Sequence, residues 1–547
     1  MGRLKPPHLF KKLGAYRPVC VAAAIALAAA SPAPSTTPSI GLATILDRHL
    51  EARAALHLTM PRTLQTQGTL EGLGLHGSFR TWRDGGRERY DETLGIRAQR
   101  TLRLDGAEWM QNANGDVREL RGVVARRQLS QDSIDSGDFA RHPENDTLLG
   151  RARLRDGRDV WQIRVEPPGG EPFGVALDAA TFMVDEKAYV EGDGVTTIDY
   201  SDYRVVRGAL YALVSVESNG DRAYDITSRV AAVVVNDPID PSVFAPLQPA
   251  VVDAPNPVKV ALLTDAGHYF VRGTVDGQSL LFLVDSGSQA LFVDPAVAQR
   301  LNRTPEGSLE VRGTKRVSGR GVIALDGIDI GDAHLPARVV SVVDLSTVTY
   351  NGKTVDGVLG YPFFAAAEVR LDPDSMTMTI ARPGGLAVRG TPIPIDTDRE
   401  LPEVTARLNG TTDGRFLVDT GNSNDLLVFH AFAQAHPGVV FVGTAQNFAK
   451  NGGVGGSSAA LPAVVYRLEI GPFNLYNRYA DVMLSDAGAF SDRYEAGNIG
   501  LAALKNFVFT FDYSNRTLFL DKTRWFDDGR YRASSQSAQP HGSFIPP

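Results

Sequence analysis

One pattern occurs twice in this chain and constrains it more than any other. Tyr269–Leu301 reads YFVRGTVDGQSLLFLVDSGSQALFVDPAVAQRL, and Pro402–His436 reads PEVTARLNGTTDGRFLVDTGNSNDLLVFHAFAQAH. Each segment gives a strand, a turn, a second strand ending in FLVD-[ST]-G, a further apolar strand and a short helix. Later in each copy comes a triplet closed by glycine, Val358-Leu359-Gly360 and Asn498-Ile499-Gly500, followed by an apolar stretch. Each copy then closes on a strand with an aspartate at its end, Glu368–Asp372 and Phe507–Asp512. Four matched features in one order mark an internal duplication. Asp285 and Asp419 hold the same place in the two copies.

That placement has a chemical meaning. A carboxylate at the end of an apolar strand such as Leu281–Val284 is drawn into partly desolvated surroundings. Two such groups brought together by pairing of the copies cannot both ionise at a separation of about 3 Å, so they share a proton and titrate as a unit. The ionised member accepts a proton from a water held between them, while the protonated member hydrogen-bonds a substrate carbonyl. Ser286 and Thr420 supply short hydroxyls that can tie the two loops together, and Gly287 and Gly421 let backbone approach the pair.

Asp285-Ser286-Gly287-Ser288 and Asp419-Thr420-Gly421-Asn422, with their downstream glycine-ended triplets, resemble the aspartic peptidases of the retropepsin-like and pepsin-like type. The form is similar to the bacterial one with two tandem lobes on one chain, and the resemblance runs from about Val260 to Asp521. It implies two β-barrel-like lobes in pseudo-two-fold arrangement, self-sufficient as a monomer, with a cleft between them for a peptide or protein substrate. Asp285 and Asp419 would be the catalytic pair, with Ser286, Gly287, Ser288, Thr420, Gly421 and Asn422 supporting the active loops. The segments ending in Gly360 and Gly500 would pass behind those loops, and neither metal nor cofactor is implied. Two residues depart from the pattern: Asn422 stands where Ser, Thr or Ala is usual, and Asn498 where an aliphatic residue is usual. The glycine-rich Val317–Val322 and Asn451–Ser457 are the flap candidates. Because a fold does not fix an activity, a catalytically silent peptide- or lipoprotein-binding protein is the alternative reading.

The duplication fills less than half of the 547 residues, and a chain of this length holds about three or four domains. With 54 glycines and 32 prolines the composition favours turns and a mainly β architecture. Ser39–Leu56 has helical spacing with Ser39 as its cap. From Thr63 to Pro246 short alternating runs follow, among them Gly68–Leu75, Arg97–Leu104, Asp159–Val165, Thr196–Tyr203 and Leu210–Glu217, with Asp-Gly and Asn-Gly turns near their ends. This predicts an antiparallel sheet preceded by a helix. Together with Asp105–Trp109, Leu177–Thr181 and Asp202–Arg204, it resembles the periplasmic lipoprotein-carrier proteins of Gram-negative bacteria. That resemblance implies a curved half-barrel sheet with helix, around a cavity for a lipid or lipoprotein ligand. Leu247–Val258, with three prolines, reads as a linker. The expected organisation is therefore a carrier-like domain over 31–246, the linker 247–258, lobes over 259–385 and 386–522, and a tail over 523–547.

Residues 1–30 read as a signal peptide. Arg3, Lys5, Lys11, Lys12 and Arg17 precede an apolar run from Val19 to Ala30, and Ala28 and Ala30 offer a small-x-small cleavage site. The expectation is an exported chain, periplasmic or secreted, with an uncleaved membrane anchor as the alternative. The lone cysteine, Cys20, falls inside this run, so neither an internal disulfide nor a cysteine-based metal centre is available. A net charge of −7 argues against a nucleic-acid binder. Gly72-Leu73-Gly74-Leu75-His76-Gly77 matches a dinucleotide fingerprint literally, but its context is strand-turn-strand with no helix to follow.

Overall fold

The computed structural model describes residues 40–59, 61–442, 449–485 and 487–529. The predicted signal segment 1–30 with Cys20, the predicted cap Ser39 and the tail beyond 529 lie outside the described residues. The protein is mainly β, with a large curved antiparallel sheet in its N-terminal part and β-barrel-like sheets in its C-terminal part. It divides into two compact units, one of residues up to 61 with 125–228, the other of residues 62–124 with 229 onward.

In the first unit, the helix Leu42–Ala55 starts from Gly41 without a side-chain cap and turns Ile45, Leu46 and His49 inward. They meet Phe139, Phe173, Val175, Leu177 and Phe182 in one apolar core. The strands Thr147–Arg153, Asp159–Val165, Phe173–Asp178, Val184–Glu191, Gly194–Val206 and Ala209–Ser218 follow one another as an antiparallel meander. A second helix, Gly122–Ser136, was not expected from the sequence. Its apolar residues are too sparse to mark a face, and it is fixed instead by single buried positions such as Ser130, whose hydroxyl donates to the Glu171 carbonyl at 2.7 Å.

The second unit opens with another meander, Thr63–Gly72, Leu75–Asp84, Arg87–Leu94, Arg97–Leu104, Ala107–Gln111 and Val117–Glu119. The predicted strand Gly68–Leu75 is in fact two, because Leu73 and Gly74 both take positive φ (57° and 74°) and turn the chain back. Gly72–Gly77 is thus a hairpin bend.

The duplicated region folds twice in the same way. In the first lobe His268–Val275, Gln278–Val284, Gly357–Leu359, Phe292–Val293, Ala333–Val342 and Val322–Ile330 lie side by side in that order, and the first closes onto the last at Thr274–Asp329. In the second lobe Glu403–Leu408, Thr412–Asp419, Gly497–Gly500, Leu426–Val428, Phe473–Met483 and Gly456–Ile470 repeat the order, closing at Ala406–Ile470. A six-stranded antiparallel sheet, drawn from both lobes, joins them: Glu368–Asp372 of the first pairs with Phe507–Asp512 of the second. One core, including Phe282, Val284, Phe364, Phe416, Val418, Phe509 and Phe511, runs through lobes and sheet. Leu247–Val258, read as a linker, is laid down on this body: Val252 is 1% exposed, its N–H donates to the Ala366 carbonyl, and Asp253 bridges to His334.

His49 is fully buried, and its Nδ1 meets the Phe182 carbonyl at 2.7 Å. Burial lowers its pKa from the ordinary 6.5. The unfolded chain therefore takes up a proton that the folded one refuses, so stability is lost as pH falls below 6.5. His49→Gln should flatten the decline of melting temperature between pH 7 and pH 5; an unchanged slope would show that His49 is not its source.

Candidate active site

Both aspartates sit at the C-terminal end of a buried strand in the same register. Phe282, Leu283 and Val284 run parallel to Gly357, Val358 and Leu359, while Phe416, Leu417 and Val418 run parallel to Gly497, Asn498 and Ile499. Flanked on both sides, each strand is buried over the last three residues before its aspartate, which is why the sequence reads FLV at both places. Gly360 and Gly500 follow directly, where a side chain would strike the carbonyls of Ser288 and Ala290, or of Asn422 and Asn424. The glycine-ended segments thus pass behind the two loops.

The loops are tied to each other reciprocally. Ser286 Oγ donates to the Val418 carbonyl at 2.6 Å and accepts from Thr420 N–H at 3.0 Å. Thr420 Oγ1 donates to the Val284 carbonyl at 2.8 Å and accepts from Ser286 N–H at 2.9 Å. Both residues are 0% exposed. This cross-lobe exchange brings the carboxyls face to face. A Cβ on Gly287 would lie 2.4 Å from Asp419 Oδ1, and one on Gly421 would lie 2.3 Å from Asp285 Oδ1. Each glycine therefore makes room for the opposite carboxyl. The side chains of Ser288 and Asn422 turn away: Ser288 Oγ donates to the Ala290 carbonyl, and Asn422 Oδ1 accepts from Asn424 N–H. Of these two residues, only the Asn422 backbone N–H reaches a carboxylate, at 3.1 Å from Asp419 Oδ1.

Burial raises the pKa of both carboxyls; the Asp419 charge raises that of Asp285 further, whereas the hydrogen bond from Asp285 lowers that of Asp419. The two do not rise equally. Asp419 accepts from Gly421 N–H at 2.9 Å, Asn422 N–H and Asn498 Nδ2 at 2.6 Å, which hold its charge. Asp285 is pushed well above the usual carboxyl range, with Gly287 N–H at 2.9 Å as its own loop's donor. The donor set therefore favours the charge on Asp419 and the shared proton on Asp285. Close by, Tyr513 is buried and held un-ionised, and the His268 ring lies against the Gly421 carbonyl with its pKa lowered by burial.

The flap candidates belong to two hairpins, one from each lobe, that meet. Leu309–Arg312 pairs with Arg316–Gly319, and Ala449–Gly453 pairs with the start of Gly456–Ile470. Thr314 Oγ1 donates to the Val454 carbonyl at 3.2 Å, and Asn424, next to the second aspartate loop, donates to Asn451 at 2.7 Å. Asn498 was visible in the sequence only as a departure from an aliphatic pattern; its hydrogen bond to Asp419 gives that departure a physical content. Nothing local in the sequence marks His268 or Tyr513. Among the described residues, no group of three or more His, Cys, Asp or Glu side chains is placed to hold a metal ion.

Two lobes, each ending a buried strand in an aspartate that faces the other, define a paired-carboxylate site. Residues 271–363, which include Asp285 and Gly360, match the aspartyl protease family model. No curated protein matches the chain. Among solved structures the chain is similar to a DUF1329 family protein from Desulfovibrio piger (14% identity, 38% of this chain and 100% of that one, TM-score 0.28). It is also similar to an outer membrane lipoprotein-sorting protein domain from Vibrio parahaemolyticus (12% identity, 38% of this chain and 97% of that one, TM-score 0.26).

Thr420→Ala would leave Ser286 N–H and the Val284 carbonyl buried without partners. We expect a loss of about 2–4 kcal/mol in chemical denaturation, with Thr420→Ser recovering most of it. A Thr420→Ala protein as stable as the parent would refute the cross-lobe tie.

Proposed function

We propose that the protein is an exported aspartic endopeptidase in which Asp285 and Asp419 activate a water. The observation that carries this reading is the pair of carboxyls, each set against the other's glycine in surroundings that raise the pKa of both. The ionised carboxylate takes a proton from the water as its oxygen bonds to the peptide carbonyl carbon, and the protonated carboxyl gives its proton to the carbonyl oxygen. The tetrahedral species then collapses. The C–N bond breaks, the amine nitrogen takes the proton that came from the water, and a hydroxyl returns a proton to the other carboxyl. Every proton is accounted for by the pair and the water, and the cycle ends in its starting state. In this reading residues 259–385 and 386–522 are the peptidase lobes, and 31–246 is a carrier-like domain. Export rests on the basic and apolar pattern of residues 1–30.

A second reading concerns the N-terminal domain. Ala52, Leu56, Thr181, Met183, Tyr203, Val205 and Leu210 bound a mostly apolar cleft of about 260 Å³, which suits a small lipid-like ligand. Mass spectrometry of full-length protein purified without detergent should then find a co-purifying acyl-chain compound; ligand-free protein would remove this reading.

Activity requires a single shared proton, so rate against pH should be bell-shaped. With Asp285 raised well above the ordinary carboxyl range, the alkaline limb should lie above that range too. Asp285→Asn and Asp419→Asn should each abolish cleavage of a peptide library, by about 10³-fold or more, while circular dichroism stays unchanged. Retained cleavage in either purified variant would overturn the assignment.

A further inference from the structure

The two active loops match in strand register and in the Ser286–Thr420 exchange, and beyond the Asn422 N–H one side chain breaks the symmetry. In the first lobe Val358 lies opposite Leu283, two residues before the aspartate; in the second, Asn498 lies opposite Leu417 at the same place. Val358 brings no donor to Asp285. Asn498 is 6% exposed, and its Nδ2 donates to Asp419 Oδ2 at 2.6 Å. Its Oδ1 is buried with no hydrogen-bond partner. An amide kept in a buried strand with half of its polar capacity unmet is costly, so the half that is met must matter. The opposite orientation would set the amide oxygen against Asp419, which only a protonated Asp419 would tolerate.

We propose that Asn498 is a positioning residue that fixes the sense of the pair, keeping Asp419 as the charged member that takes the proton from water and Asp285 as the member that donates to the carbonyl. This rests on the peptidase reading and deepens it, because two otherwise equivalent aspartates thereby acquire distinct duties. The remaining surroundings do not supply the distinction by charge. The titratable groups set against the pair are the Tyr513 hydroxyl, un-ionised in its buried site, and the His268 ring at the Gly421 carbonyl, whose pKa burial lowers. Gly421 N–H lies within reach of both carboxyls. The additional Asn422 N–H favours Asp419 in the same sense but comes from the loop's own turn, and Asn498 is the side chain that adds to it.

The test replaces the donor and reads protonation as well as rate. In Asn498→Leu, which keeps the volume and removes the amide, the acidic limb of kcat/KM should move up by roughly one to two pH units, the worth of one hydrogen bond to a charged group. Asn498→Thr, which retains a donor, should recover part of that shift. The exchange Val358→Asn with Asn498→Val should restore a low acidic limb with the charge now on Asp285. Carbon-13 carboxyl NMR of aspartate-labelled protein, with Asp285→Asn and Asp419→Asn as assignments, follows the two groups whether or not the protein cleaves anything. Asp419 should ionise first in the parent, and its titration should rise in Asn498→Leu. Folded Asn498→Leu protein with unchanged titration, or a parent in which Asp285 ionises first, overturns the proposal. A parent that titrates as described but never hydrolyses a peptide leaves Asn498 in this role and overturns the peptidase reading alone.

Discussion

The exchange of hydrogen bonds between Ser286 and Thr420 is the interaction on which the site depends. Two carboxyls in a desolvated space repel one another as soon as both are charged, and nothing in the carboxyls themselves holds the lobes at that distance. Four short bonds, each hydroxyl both donating and accepting, tie two buried hydroxyls across the lobes. The strands behind them are apolar and flanked on both sides, so the loops have little room to drift. The geometry of the carboxyls is thus a residue of what their neighbours do.

Around this near-symmetric centre the lobes also share a costly feature. Each buries an arginine in a matching strand, Arg338 in Ala333–Val342 and Arg478 in Phe473–Met483. A buried guanidinium needs acceptors, and each lobe takes one from an added piece of chain. Arg338 donates to the Asn114 carbonyl, on the turn of the hairpin Ala107–Glu119. Arg478 donates to the Asp527 carbonyl at 3.0 Å, in the segment that follows the last strand. The matched arginines thus take carbonyls from different pieces of chain, and Arg478 in addition pairs with Asp425 at 3.4 Å.

The repeated FLVD-[ST]-G made the pair of aspartates, both tying hydroxyls and the glycines legible from residues alone, because strand period and local turn chemistry act over a few positions. The mainly β architecture and the strands Arg97–Leu104 and Asp159–Val165 were legible for the same reason. What was not legible acts at long range or without period. The helix Gly122–Ser136 has no apolar stripe to announce it, and the split of Gly68–Leu75 turned on a leucine at positive φ. The partners of Arg338 and Arg478 are backbone carbonyls more than two hundred and about fifty residues away, which no composition or spacing encodes.

The proline-rich segment 247–258 and the hairpin at Asn112–Asp116 bear on how such a protein would be switched on. Asn114 pairs through its side chain with both the N–H and the carbonyl of Val339, Arg118 holds Glu400 at 2.5 Å, and Ala250 donates to the Gly115 carbonyl. A cut in 247–258 would therefore not release the lobes, because the hairpin would stay seated and its departure would strand Arg338 in the interior. Residues 62–124 belong to the same compact unit as the two lobes, so this hairpin is part of the body that holds them.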